Sequence, residues 1–346
     1  MSTLLELDSI RCTYNDTVAV NNVSLCIREG NIVCLLGPSG SGKSTILRAV
    51  AGLEQLTSGQ IILNDEIISS ETKFKAPEKR QMGMVFQDYA LFPHLNVRDN
   101  ICFGLRKLTK AALKNKSEEL LDVVGMNNFG HRFPHELSGG QQQRIALARA
   151  LAIQPKLILM DEPFSNLDVE LRERLSHDVR NILKDQNMTC IMVTHDQAEA
   201  FVISDKVAVI NEGKLQQWDT SYNLYHDPIN RFVAEFIGQG VFLPGVLQTP
   251  ESVQTEVGLI CGDRAYDWPK GSKVEVLIRP DDVKISNDSD LLASVVNKSF
   301  KGSEILYTLK LPTGYKLLSA LPSHSNHNIG ESISIKLDLH HLIAFQ

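Results

Sequence analysis

Two glycine-rich segments of this 346-residue chain have the residue types and spacing to hold phosphate. The first is Gly37-Pro38-Ser39-Gly40-Ser41-Gly42-Lys43-Ser44-Thr45, which fits G-x-x-x-x-G-K-[ST] in full. Its glycines admit turns in which backbone amides surround a β-phosphate, Lys43 balances charge on the β- and γ-phosphates, and Ser44 can ligate Mg²⁺. The second is Leu137-Ser138-Gly139-Gly140-Gln141. Ser138 can cap the helix that follows, and the two glycines let a ligand approach the backbone, so that three unpaired amides and the positive helix end face an anion.

These segments need a scaffold, and the hydrophobic pattern supplies one. Runs that are apolar at nearly every position (Ile32 to Leu36, Met84 to Phe86, Leu157 to Met160, Cys190 to Val193, Val207 to Ile210) suit strands of a parallel sheet covered on both faces. Helical spacing marks Thr45 to Ala51, closed by Gly52, and Asp168 to Gln186, where Leu171, Leu175, Val179, Ile182 and Leu183 recur three and four apart. This is alternating α/β construction. A helical subdomain at about residues 88–140 carries the Leu137 to Gln141 segment at its exit, and Asp219 to Phe236 reads as a partly helical connector closing a first domain at residues 1–236. From there to residue 346, β-branched runs such as Lys273 to Arg279, Ile305 to Leu311 and Ser332 to Leu337 alternate with turn residues, predicting a small all-β barrel or sandwich.

Composition narrows the function. The formal charge is -6, and Lys and Arg are scattered, so the electrostatic footprint of a nucleic-acid binder is missing and none is expected as a partner. No apolar run approaches the roughly 18 residues of a membrane span, and the first residues lack the basic start of a secretory signal. The cysteines show no CxxC or metal-ligand spacing and read as reduced, buried, structural thiols. His324 with His327 and His340 with His341 invite a metal, but loop histidines without nearby acidic or cysteine ligands are mostly solvated.

Taken together, the two segments resemble the phosphate loop and signature of the ABC transporter ATPases, a resemblance that covers the first two thirds of the chain. It implies a P-loop ABC-type nucleotide-binding domain followed by an OB- or TOBE-like regulatory domain, whose recurring element Leu277-Ile278-Arg279-Pro280-Asp281-Asp282 resembles. Leu157 to Glu162 resembles the Walker B strand, so Asp161 would join Ser44 and Gln87 around Mg²⁺ while Glu162 orients and deprotonates the attacking water. Gln87 resembles the family's Q-loop and His195 its switch histidine, and both follow predicted strands, at the edge where open α/β sheets bind ligands. Ser165-Asn166-Leu167-Asp168 resembles the D-loop that crosses between subunits, with Asn166 in place of the commoner alanine. Tyr14, upstream of the first predicted strands, would stack on adenine, with a half-buried strand tyrosine as the lesser alternative. Asp88 to Leu95 exposes Leu, Phe and Tyr beside a proline turn, either to pack the core or to grip a short helix of a membrane subunit.

The resemblance thus implies an ATP-hydrolysing import subunit, active as a head-to-tail homodimer on the cytoplasmic face of a bacterial inner membrane, bound to transmembrane permease subunits and served indirectly by an extracytoplasmic binding protein. The stretch Phe236 to Gly245 and the compact C-terminal domain look most like the ferric-iron uptake members, with polyamine, sugar and sulfate importers as alternatives. Two further readings compete. A nucleic-acid machine would call for a basic surface, and a non-catalytic scaffold for loss of Glu162 or His195, both of which are present.

Overall fold

In the computed structural model, which describes residues 2–105, 108–286, 289–339 and 341–346, the chain separates into two compact units, Met1–Ser221 and Tyr222–Gln346. This division falls within the connector expected at Asp219 to Phe236, all but the first three residues of which group with the second unit.

In the first unit, residues alternately apolar and polar form β1 (Thr3–Tyr14) and β2 (Thr17–Arg28), and the fully apolar run gives β3 (Ile32–Leu36). There follow α1 (Lys43–Ala51), β4 (Ser58–Leu63), β5 (Glu66–Ser70), β6 (Met82–Val85), α2 (Val97–Cys102), α3 (Lys110–Val123), α4 (Gly139–Ala152) and β7 (Leu157–Asp161). α5 (Val169–Asp185), β8 (Thr189–Thr194), α6 (Gln197–Ile203), β9 (Lys206–Asn211) and β10 (Lys214–Asp219) complete it. One sheet is antiparallel, in the order β2-β1-β4-β5; the other runs β10-β9-β3-β8-β7-β6 and is parallel except for β10. Every residue of β3 and β8 is buried, as strands covered on both faces require.

The antiparallel sheet corrects the expectation that Tyr14 precedes the first strands: it is the last residue of β1. Alternation there is broken by a register shift between Leu7 and Ile10, with Ser9 at φ 52°, so inward residues fall out of a strict period of two. One core joins the inward side chains of this sheet, α1 and one face of the parallel sheet. Leu47, fully buried within it, would cost about 2–5 kcal/mol if cut to alanine.

Register matters most for function. Leu36 pairs with Thr194, Asp161 with Val193 and Met160 with Val85, so the carboxyl ends of β3, β8, β7 and β6 meet along one edge. The loops after these strands carry Gly37 to Gly42, His195, Glu162 and Gln87.

The second unit begins with the short helices α7 (Ser221–His226) and α8 (Arg231–Phe236). Its strands are β11 (Val241–Thr249), β12 (Ser252–Thr255), β13 (Gly258–Cys261), β14 (Lys273–Ile278), β15 (Val283–Ile285), β16 (Leu292–Phe300), β17 (Glu304–Lys310), β18 (Lys316–Pro322), β19 (Ser332–Leu337) and β20 (Ala344–Phe345). They form two five-stranded sheets, β13-β12-β11-β14-β20 and β15-β19-β16-β17-β18, around a common apolar core. The buried Arg279 explains the Arg279-Pro280-Asp281-Asp282 element: its guanidinium donates to the carbonyls of Ala234, Gly238 and Gln239, capping the end of α8. Asp282 in turn accepts from the Arg279 amide at 2.8 Å.

Two sequence expectations change here. Four cysteines are buried, but Cys26 and Cys261 occupy outward positions of alternating strands and are exposed. Folding also brings acids to two histidines: Glu331 lies 2.7 Å from His327, and Asp263 lies 3.3 Å from His341. His340 lies outside the described residues, among which no group of three or more His, Cys, Asp or Glu could hold a metal.

Candidate functional site

The loop after β3 is held by backbone contacts. A Cβ on Gly37 would meet the Ile210 carbonyl oxygen at 2.1 Å, and one on Gly42, at φ 100°, the Ala19 carbonyl oxygen at 2.3 Å. Both positions therefore exclude any side chain. Gly40 has open space in front of it. Lys43 is buried, and its ammonium donates to the carbonyls of Gly37 (2.9 Å) and Pro38 (2.8 Å) in its own loop. Burial lowers its pKa, opposed by the carboxylates of Glu162 and Asp161, so a cation is held beside two acids.

From the next residue, the Ser44 hydroxyl donates to Asp161 Oδ1 at 3.0 Å. A hydroxyl and a carboxylate side by side fit Mg²⁺, which takes one or two protein oxygens and completes its shell with water and phosphate oxygens. Glu162 turns out of β7 at φ 45°, its amide donating to the Val193 carbonyl at 3.0 Å. Its carboxylate lies 3.3 Å from Nδ1 of His195. Asp161, Glu162, His195, Lys43 and Ser44 are thus gathered at one edge of the sheet. Tyr14 is 42% exposed, and burial together with a hydrogen bond to Glu54 raises its phenol pKa against an opposing bond with Thr45. That contact sets the ring beside the first turn of α1.

The second glycine segment is a helix cap. Ser138 Oγ accepts from the Gln141 amide at 3.4 Å while Gln141 Oε1 accepts from the Ser138 amide at 3.0 Å, a reciprocal capping box at the start of α4. Gln141 therefore has a partner for its amide inside the segment. This corrects the expectation of three unpaired amides: among the described residues of this segment only those of Gly139 and Gly140 lack a partner. The glycines also have a packing reason that the sequence does not reveal. A Cβ on Gly140 would lie 2.7 Å from Leu175 Cδ1 of α5, and one on Gly139 3.0 Å from Leu167. Among the described residues no hydrogen bond joins Leu137 to Gln141 with the Gly37 to Thr45 loop.

Gln87 is exposed in the turn after β6, and no hydrogen bond among the described residues joins its side chain to Ser44 or Asp161. Its backbone carbonyl accepts from Asn166 Nδ2 at 3.0 Å. Tyr89, expected at the surface, is 5% exposed, because the chain turns inward through left-handed φ values at Tyr89 (60°) and Ala90 (45°). Arg149 of α4 donates to both carbonyls of that turn, at 2.8 and 2.6 Å. Asn100, fully buried, then binds Phe92 and Leu95 through four hydrogen bonds to the segment and its own helix start. Phe92 and Leu95 remain half-buried.

Ser165 and Asp168 secure the remaining loop: Ser165 donates to the Glu162 carbonyl, and Asp168 caps α5 through the Leu171 amide. Arg172, which sequence reasoning missed, donates to the Leu167 carbonyl (3.0 Å) and to Asp196 (2.9 Å), next to His195. It also lies 3.3 Å from Glu199, a buried acid whose pKa burial raises and whose carboxylate accepts from Thr194 at 2.5 Å. Arg149 and Arg172 carry no local motif. Only their place in helices that start at functional loops marks them, Arg172 in the first turn of α5 and Arg149 about three turns into α4.

Comparison with known proteins agrees with this geometry. The ABC transporter sequence pattern matches residues 20–165, and the TOBE domain pattern residues 276–345. The chain is 43% identical over 292 residues to the spermidine/putrescine import ATP-binding protein PotA of Chromobacterium violaceum, covering 82% of this chain and 80% of that protein. It is 37% identical to the PotA protein of Rubrobacter xylanophilus over 98% of this chain and 93% of the relative. With the Fe(3+) ions import ATP-binding protein FbpC of Agrobacterium fabrum it shares 38% identity over 96% of this chain and 94% of the other. Among solved structures, the dimeric ATP-binding cassette MJ0796 bound to ADP and Pi matches with a TM-score of 0.55 at 28% identity, over 63% of this chain and 98% of its own. CbiO1 of Clostridium perfringens, part of the transporter complex cbiONQ, matches with a TM-score of 0.59 at 27% identity, over 64% and 89%.

Proposed function

The chain belongs to the ATP-binding subunits of ABC importers, and from that premise we propose that it powers uptake of a polyamine through separate permease subunits. One observation carries the cargo. Relatives named for spermidine and putrescine recur at 37–43% identity, some over nearly the whole chain, alongside the iron-importer relative. Ferric iron, expected from Phe236 to Gly245, keeps the support of the FbpC relative, but the residues of that stretch also have structural reasons. Gly238 is there at φ 96°, Gly240 because a Cβ would strike Leu277 Cδ1 at 2.7 Å, and Arg279 binds the Gly238 and Gln239 carbonyls. That stretch encodes the turn into β11, which any cargo permits.

In the proposed reaction the amides of Gly37 to Thr45 and the Lys43 ammonium bind the phosphates of ATP, with Tyr14 against the adenine. Ser44 and Asp161, with Gln87 as the proposed third ligand, would hold Mg²⁺, which when bound would neutralise phosphate charge. Glu162 takes a proton from the attacking water as the bond between the β,γ-bridging oxygen and the γ-phosphorus breaks, and His195, 3.3 Å from that carboxylate, steadies the γ-phosphate end. Ser138, Gly139 and Gly140 serve the nucleotide of a second copy, so ATP favours a closed homodimer and hydrolysis releases it. Gln87 and Leu91 to Leu95 carry that motion to the permease on the cytoplasmic face of the membrane. No helix among the described residues is long and apolar enough to cross a membrane.

Uptake of labelled spermidine, putrescine and Fe³⁺ by a strain lacking the chain tests the cargo. Loss of polyamine uptake with iron uptake intact is expected; the reverse pattern would return the assignment to iron.

A further inference from the structure

We infer that Asn166 is a positioning residue that fastens the Gln87 turn to the loop shared with His195, an inference resting on the role of Gln87 proposed above. The turn from Gln87 to Ala90 does not hold its shape unaided. Two successive residues without glycine's freedom, Tyr89 and Ala90, sit at φ 60° and 45°. Such conformations persist where surrounding contacts over-determine them. Arg149 supplies those contacts at the far end, donating to the Tyr89 and Ala90 carbonyls. At the near end the side-chain contact is the amide of Asn166, which donates to the Gln87 carbonyl at 3.0 Å.

What makes this bond informative is where its other end is anchored. Next in sequence to Asn166, Leu167 gives its carbonyl to Arg172, and the same guanidinium reaches Asp196, the neighbour of His195. Leu167 is buried and abuts Gly139. One short loop therefore touches the Gln87 turn and the glycine cap and is tied through Arg172 of α5 to the His195 loop. Asn166 is its exposed arm. Removing that arm opens no cavity and leaves Arg149 and Arg172 in place, so the fold survives while the Gln87 turn loses its register to the sheet edge.

Steady-state hydrolysis by the purified full chain with ATP and Mg²⁺ tests this. Asn166→Asp keeps the shape but places a carboxylate, which cannot donate, against a carbonyl oxygen. It and Asn166→Ala are expected to lower kcat about threefold to tenfold, with KM for ATP within about twofold and Tm within about 2 °C of the parent. In a Gln87→Ala background, which itself lowers kcat, Asn166→Asp should cost almost nothing more, because its effect runs through Gln87. Full additivity of the two substitutions, an unchanged kcat in Asn166→Asp, or a loss explained by a lower Tm would each overturn the inference. An unchanged kcat in Gln87→Ala alone would instead strike the role assigned to Gln87, and this inference with it.

Discussion

The two glycine segments use the same residue type for opposite ends. In Gly37 to Thr45 the glycines press against the Ala19 and Ile210 carbonyls, and the ammonium of Lys43 is buried among groups of its own chain. Ser44, Asp161, Glu162 and His195 stand around it, linked within hydrogen-bonding distance. In Leu137 to Gln141 the glycines press against leucines of α5 and the preceding loop, and the segment binds mainly to itself. The first is a cluster of charged and polar groups gathered within one chain. The second has a back supported by leucines and a capped helix start, and the proposed function has another copy complete it.

The largest test of that contrast pairs two substitutions. Lys43→Ala should abolish hydrolysis and weaken ATP binding to the isolated chain by about a hundredfold or more, because the charge facing the phosphates is removed. Ser138→Phe should abolish hydrolysis equally yet leave ATP affinity of the monomer unchanged, as read by fluorescent-nucleotide titration at low protein concentration. Full hydrolysis in Ser138→Phe would refute the shared site. Glu162→Gln should come next, lowering turnover about 10²- to 10⁴-fold while ATP still binds; undiminished turnover would remove Glu162 as the base. Gly140→Ala probes the back of the cap: a Cβ 2.7 Å from Leu175 Cδ1 should destabilise the chain by about 1–3 kcal/mol in denaturant unfolding. Leu175→Ala should absorb part of that loss, and strict additivity would disprove the clash. The smallest effect is expected of Tyr14→Phe, which keeps the ring and removes the hydroxyl contacts with Glu54 and Thr45; apparent ATP affinity should move less than about twofold.

Much of the parallel sheet was legible because a strand buried on both faces writes its burial into consecutive residues. β3 occupies the residues expected, and β8 extends one residue beyond its apolar run at each end; the alternating β19 of the second unit also falls where expected. Helix α5 was legible too, since Asp168 caps it and Leu175, Val179, Ile182 and Leu183 are its buried face. The antiparallel sheet escaped notice because the shift near Ser9 interrupts the alternation on which strand recognition depends. Tyr89 misled for a related reason: an aromatic beside a proline turn looks exposed until two left-handed residues fold it under α4's first turn.

By itself the sequence determined which groups are available and which segments are strand or helix, since phosphate-loop spacing, capping residues and apolar periods are local signals. Tertiary structure decided which of those groups meet. Strand pairing aligned Leu36, Thr194 and Asp161 across β3, β8 and β7, and only that register brings Lys43, Glu162 and His195 to one edge. It also decided the partners of Asn166, Arg149 and Arg172, whose bonds span 79, 60 and 24 residues and leave no trace in any local pattern.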